Sequence, residues 1–84
     1  MYSRNDLLSL SYDEMTELLL HKIVSFNYKG QNVKGKVTNI YATKYSNIVH
    51  SKHLPCMFDI NIYGLIKRVN IINIDRLDIL TNFD

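Results

Sequence analysis

The sequence predicts a mainly β domain with one N-terminal helix. Three observations lead there. A single segment near the N-terminus carries helix-start chemistry and helical apolar spacing. Most of the chain after that segment alternates apolar and polar residues in short runs broken by turn residues. One of those runs carries Gly35 among its apolar positions, which commonly marks a sharp strand bend. The alternative is an α+β arrangement, an antiparallel sheet packed on one helix.

The helix is expected over about 12–21. In Ser11-Tyr12-Asp13-Glu14, Ser11 can cap the N–H of Glu14 while Glu14 reaches back to the N–H of Ser11. Leu10 and Met15 are placed to form a hydrophobic staple. Asp13, Glu14 and Glu17 suit the positive end of the helix dipole, and His21 and Lys22 the negative end. Met15, Leu18 and Leu19, with Tyr12, form the apolar stripe. Leu7, Leu8 and Leu10 read as an apolar lead-in or a short extra turn.

The first strand, Ile23 to Tyr28, sets Val24, Phe26 and Tyr28 on one face. Lys29-Gly30-Gln31-Asn32 is a turn. Val33 to Tyr41 returns, and strict alternation puts Val33, Gly35, Val37 and Tyr41 on one face, with Lys34, Lys36 and Thr38 on the other. Residues 42–55 read as a long polar, basic loop or an irregular strand. Met57 to Tyr63 alternates again, with Phe58, Ile60 and Ile62 inward. Gly64 turns the chain, and Leu65 to Ile72 returns. Asn73 to Arg76 reads as one helical turn, Leu77 to Leu80 as a short last strand, and 81–84 as a frayed tail.

This order and these lengths resemble the small five-stranded SH3-like barrels, a set that includes Sm-like, Tudor-like and KOW-type modules. The resemblance covers about Lys22 to Leu80. Sm-like members also place a helix before the first strand. Gly35-Lys36-Val37 falls where such folds bend a strand, and Ile72 to Leu77 near their closing turn. Asp75-Arg76 stands where the Sm-type closing signature has an Arg-Gly pair. The resemblance implies a barrel over about 22–80 within a single domain, 1–84, that recognises partners through loops and exposed edges.

Charge supplies the functional reading. From Leu18 to Phe58 there is no acidic residue, while Lys22, Lys29, Lys34, Lys36, Lys44 and Lys52 all fall inside. The whole chain is only +2, so the average conceals a positive middle segment. Such a field attracts phosphates or acidic protein surfaces. Lys34 and Lys36 share one outer face, Lys44 and Lys52 lie on the long loop, and Tyr45 is the surface aromatic suited to stacking on a base. Lys67, Arg68 and Arg76 add a second basic cluster, and one strand face can present only one of Lys67 and Arg68. The expectation is a non-enzymatic module that binds nucleic acid through Lys34, Lys36, Lys44, Tyr45, Lys52, Lys67 and Arg68. The alternative is a phage-type interaction module that binds and modulates an acidic host protein, docking through an exposed apolar patch from Leu7, Leu8 and Leu10 or from Ile48, Val49 and Leu54.

Other chemistries find little to build on. His50, His53, Cys56 and Asp59 are zinc-type ligands at three-residue intervals, but structural sites usually join pairs from separate elements, so they are weak metal candidates and no cofactor is expected. Cys56 with His50 or His53 has the elements of nucleophile and base. The sequence shows no oxyanion-hole motif, and the three glycines are too widely spaced for a phosphate loop. The lone cysteine suits a reducing compartment, and no apolar run approaches a bilayer span. A cytoplasmic protein with no membrane partner is expected. Ile, Asn, Lys and Tyr, all with AT-rich codons, supply 32 of 84 residues, as in many bacteriophages and low-GC bacteria.

Overall fold

The structure is a computed structural model and describes residues 1–43 and 54–80. It is mainly β. The strands are β1 (Tyr2–Ser3), β2 (Ile23–Tyr28), β3 (Gln31–Thr43), β4 (Leu54–Ile62), β5 (Leu65–Asn70) and β6 (Ile74–Leu80). Two short helices, α1 (Arg4–Leu8) and α2 (Tyr12–Leu19), precede β2, and a 3₁₀ turn (Ile71–Asn73) joins β5 to β6. The strands form one antiparallel sheet in the order β1-β6-β2-β3-β4-β5.

The sheet is not closed, where five strands closing into a barrel were expected. The sixth strand is one reason. Tyr2 and Ser3 pair with Leu77 and Arg76, so β1 takes the β6 edge that a closing strand would need. The opposite edge is β5, whose only strand partner among the described residues is β4.

Both helices start on a reciprocal capping box. In α2 the Ser11 hydroxyl accepts from the Glu14 N–H at 3.1 Å, and the Ser11 N–H donates to Glu14 Oε1 at 3.0 Å. The same pattern joins Ser3 and Asp6 at the start of α1. Helix α2 stops at Leu19, two residues short of expectation. Leu20 is extended and His21 has φ 66°. The His21 N–H then donates to Val37 O, and the Val37 N–H to Lys22 O, so the chain is already tied to the sheet there.

The core lies on one face of the sheet, beneath the helices. Leu7, Met15 and Leu19 are fully buried with Val24, Val37, Phe58, Ile60, Val69, Ile71, Ile74 and Leu77. Leu10 packs against this cluster, and Leu8 alone of the lead-in leucines is exposed. The lead-in therefore anchors the core, which removes it as a docking patch.

β3 is the longest strand and serves two partners. Gln31 to Lys36 pair with β2, and Lys36 to Thr43 pair with β4. At the change of partner, a Cβ on Gly35 would lie 2.5 Å from the backbone oxygen of Asn61 and 2.6 Å from Ile60 Cγ1. The glycine lets β4 cross there. A register shift between Val37 and Asn39 then reverses the alternation. Ile40 turns into the core, and Tyr41, expected there, lies on the outer face with Asn39. The 3₁₀ turn arrives two residues earlier than expected, so β6 begins at Ile74 rather than Leu77.

Candidate functional site

Two hairpin turns share one end of the sheet. The β2–β3 turn has Lys29 at φ 52° and Gly30 at φ 82°, and the β4–β5 turn has Tyr63 at φ 51° and Gly64 at φ 89°. Paired positive φ values of this kind belong to tight turns that match strand twist. Because the strands run β2 to β5 as a meander, both turns lie at the same end.

Tyr28 closes β2, on the core-side face with Val24 and Phe26. Its ring meets Phe26 edge-on at 6.3 Å between centroids. The Lys29 ammonium stands 5.4 Å from the Tyr28 ring centre, and the Lys67 ammonium 5.3 Å. Lys67 comes from the other hairpin, where it pairs with Ile60. Lys67 and Leu65 occupy the core-side face but stay exposed, because β5 runs past the packed core at this end. Two cations from separate hairpins thus converge on one half-buried aromatic ring. Each such contact is worth about 0.5–1 kcal/mol at an exposed site.

The outer face carries the other basic residues. Lys34 lies in register with Ser25, which in turn faces Asp78. Lys36 lies between Ile23 and Asn61. Next along β4, Asp59 is in register with both Asn39 and Arg68, and these residues form a network with Tyr41. The Tyr41 hydroxyl donates to Asp59 Oδ2 at 2.6 Å, and Arg68 Nε donates to Asp59 Oδ1 at 3.1 Å. Arg68 Nη2 donates to the Tyr41 oxygen at 3.0 Å, and its guanidinium lies 4.4 Å from the Tyr41 ring centre. Asp59 is only 8% exposed. Its hydrogen bond, followed by that to Tyr41, pushes the Arg68 pKa up from its ordinary value. Arg68 is therefore charged, but its charge is spent on a carboxylate that the fold has nearly buried.

A concavity opens beside the irregularity in β2 between Phe26 and Tyr28. It is an open groove of about 360 Å³, bounded in part by Asn27, Asn32, Asp75, Arg76 and Asp78. Its carboxylates already have cationic partners, Arg4 for Asp75 at 2.8 Å and the N-terminal ammonium for Asp78 at 3.9 Å.

The residues expected to bind are thus divided. Lys34, Lys36 and Arg68 share the outer face, while Lys67 stands on the opposite one. Lys44, Tyr45 and Lys52 lie outside the described residues, as do the metal candidates His50 and His53 and the apolar pair Ile48 and Val49. Cys56 and Leu54 enter only through the backbone of β4. No group of three or more metal-type ligands occurs among the described residues. Sequence reasoning passes over Lys29, which reads as a turn residue, and Tyr28, which reads as core. No helix among the described residues is long and apolar enough to cross a membrane. Comparison with known proteins finds no matching family model, no matching curated protein and no matching solved structure.

Proposed function

We propose that this protein is a non-enzymatic nucleic-acid-binding module whose contact surface is centred on Tyr28, Lys29 and Lys67. The observation that carries this reading is the convergence of two ammonium groups from different hairpins on one aromatic ring. Like charges gathered at one place favour an anion between or beside them. A phosphodiester strand supplies such anions in series, and an aromatic–lysine corner suits a strand that carries both phosphates and flat bases. The scaffold reads as an opened SH3-like barrel. Support for that is the order β6-β2-β3-β4-β5 and the 3₁₀ turn before the last strand.

The test is fluorescence anisotropy with labelled single-stranded DNA, RNA and duplex DNA at two salt concentrations. Wild-type binding should weaken as salt rises. The double variant Lys29→Glu, Lys67→Glu should bind far more weakly, with a salt slope on single strands shallower by about 1.4 for two lost phosphate contacts. Circular dichroism confirms that the variant is folded. Absence of binding at low salt, or a folded double variant that binds like wild type, refutes the reading.

A second reading rests on a different observation. Tyr63, Leu65 and Ile66 are 86%, 70% and 53% exposed at the β4–β5 hairpin, an apolar tip of the kind that docks on a protein. It keeps the alternative of an acidic host protein as partner, with Lys67 and Lys29 as flanking charges.

A further inference from the structure

The residue at the tip of the β4–β5 turn is a large aromatic. Tyr63 sits at φ 51°, a conformation that Gly, Asn and Asp adopt readily and bulky side chains rarely do. Burial does not explain its presence, since it is 86% exposed. The turn itself is held firmly. Asn61 Oδ1 accepts from the Gly64 N–H at 2.7 Å, and Ile62 pairs with Leu65 at its base. A large aromatic ring is therefore displayed from a fixed backbone, at a position where a small residue would serve the turn better. A ring exposed to this extent presents a flat face to a ligand.

The surroundings define the ligand. On the same hairpin, Leu65 and Lys67 share one strand face, and the Lys67 ammonium reaches the Tyr28 ring beside Lys29. The end of the sheet thus offers an exposed aromatic ring, an exposed apolar neighbour and two cations. A polyanion with accessible flat faces matches that set. Unpaired bases on a phosphodiester strand have both properties, whereas a duplex keeps its base faces stacked inside.

We infer that Tyr63 is a stacking platform for an unpaired base, and that it makes the protein selective for single strands. This rests on the nucleic-acid reading above and adds the class of strand and the residue that selects it. Lys29 and Lys67 hold phosphates on either kind of nucleic acid, and Tyr63 contributes on single strands alone.

The experiment is an anisotropy titration of wild type, Tyr63→Ala, Tyr63→Phe and the Lys29→Glu, Lys67→Glu double variant against a labelled single-stranded oligonucleotide and its duplex. Wild type should prefer the single strand. Tyr63→Ala should lose about fivefold to 150-fold in single-strand affinity, the range for one stacked base, with duplex affinity unchanged. Tyr63→Phe, which keeps the ring, should bind like wild type. Tyr63→Ala binding single strands as wild type does, or losing single strand and duplex equally, overturns the stacking role. If that occurs while the lysine variant still loses binding, the nucleic-acid reading stands and stacking alone has failed. If wild type binds neither probe, both fall, and the apolar tip belongs to the protein-docking alternative.

Discussion

Gly35→Ala tests how the sheet is bent, and so how the two hairpins come to share an end. The added Cβ would lie 2.5 Å from Asn61 O, 2.6 Å from Ile60 Cγ1 and 3.0 Å from Ile60 Cδ1. Carbon contacts are comfortable at about 3.5–4.0 Å, so the groups must part by roughly an ångström. Ile60 is fully buried, and the oxygen belongs to the β4 backbone. Neither can swing aside as an exposed side-chain tip would. Overpacking of this kind costs about 1–3 kcal/mol, and more where backbone must shift, so a loss near 3 kcal/mol is expected. A chain of this length has about 4–13 kcal/mol in total. At about 4–8 °C per kcal/mol for a domain of this size, the melting temperature should fall by roughly 12–24 °C. The comparison variant is Gly64→Ala, where a Cβ meets nothing within 4 Å but φ is +89°. Its cost is conformational alone, about 1–2 kcal/mol for a left-handed L-residue. Thermal unfolding followed by circular dichroism reads both. A Gly35→Ala shift no larger than that of Gly64→Ala would refute the close crossing of β4 over β3.

Three further outcomes are expected from the side-chain networks. In the folded protein the Asp6 pKa is lowered by the hydrogen bonds from the Ser3 backbone and then its hydroxyl, and Glu14 likewise by Ser11. Their contribution to stability is therefore complete above the ordinary carboxylate range and is lost as pH falls through the lowered folded-state values. Asp6→Asn with Glu14→Gln should flatten the acid side of the stability–pH curve measured by urea unfolding, and an unchanged acid limb would count against both capping boxes. Arg68→Ala leaves a nearly buried Asp59 with the Tyr41 hydroxyl but no cation, and should lower stability in the same assay. Arg68→Lys should recover little, because a single ammonium cannot replace the paired Nε and Nη2 contacts; full recovery would show that charge alone matters. Finally, Lys34→Glu with Lys36→Glu, on the outer face, should weaken nucleic-acid binding less than Lys29→Glu with Lys67→Glu, and the reverse ranking in the anisotropy assay would move the contact surface to the outer face.

Local chemistry makes some of this fold legible and long-range geometry hides the rest. The start of α2 can be read because a Ser–Glu pair three residues apart is nearly sufficient to cap a helix. The same logic applies to Ser3 and Asp6, but a five-residue helix is too short to show an apolar stripe. Strand parity works where pairing is regular, as between β2 and β3, and fails in β3 after Val37. The register shift is marked in the sequence only by the adjacent polar pair Thr38-Asn39 before Ile40, and strict parity read across that pair assigns Tyr41 to the core while its hydroxyl serves Asp59 outside. The edge strand β1 is two residues long and carries no periodicity at all. Its pairing with β6 depends on α1 bringing the N-terminus back to the sheet, a contact fixed by Leu7 in the core and Arg4 donating to Ile74 O at 2.9 Å.

The acid-free segment shows why a run of like charge in sequence does not make a patch in space. In a strand, neighbouring residues point to opposite faces, so a basic strand divides its charge between two surfaces. Lys34 and Lys36 go together to the outer face because they are two apart. Lys29 escapes the rule because it lies in a turn, at positive φ, where the chain is leaving the sheet. Lys67 lies outside the acid-free run altogether, yet its ammonium and that of Lys29 both stand beside the Tyr28 ring. The cations that converge are therefore a turn residue, Lys29, and a strand residue, Lys67, brought together by the fold rather than by the density of lysines along the chain. A turn at one end of a meander is exposed on more than one side, and its residues are not held to a single face. Among the described residues, two ammonium groups meet one aromatic ring at Tyr28, while on the outer face the Arg68 guanidinium beside Tyr41 is already bound to Asp59.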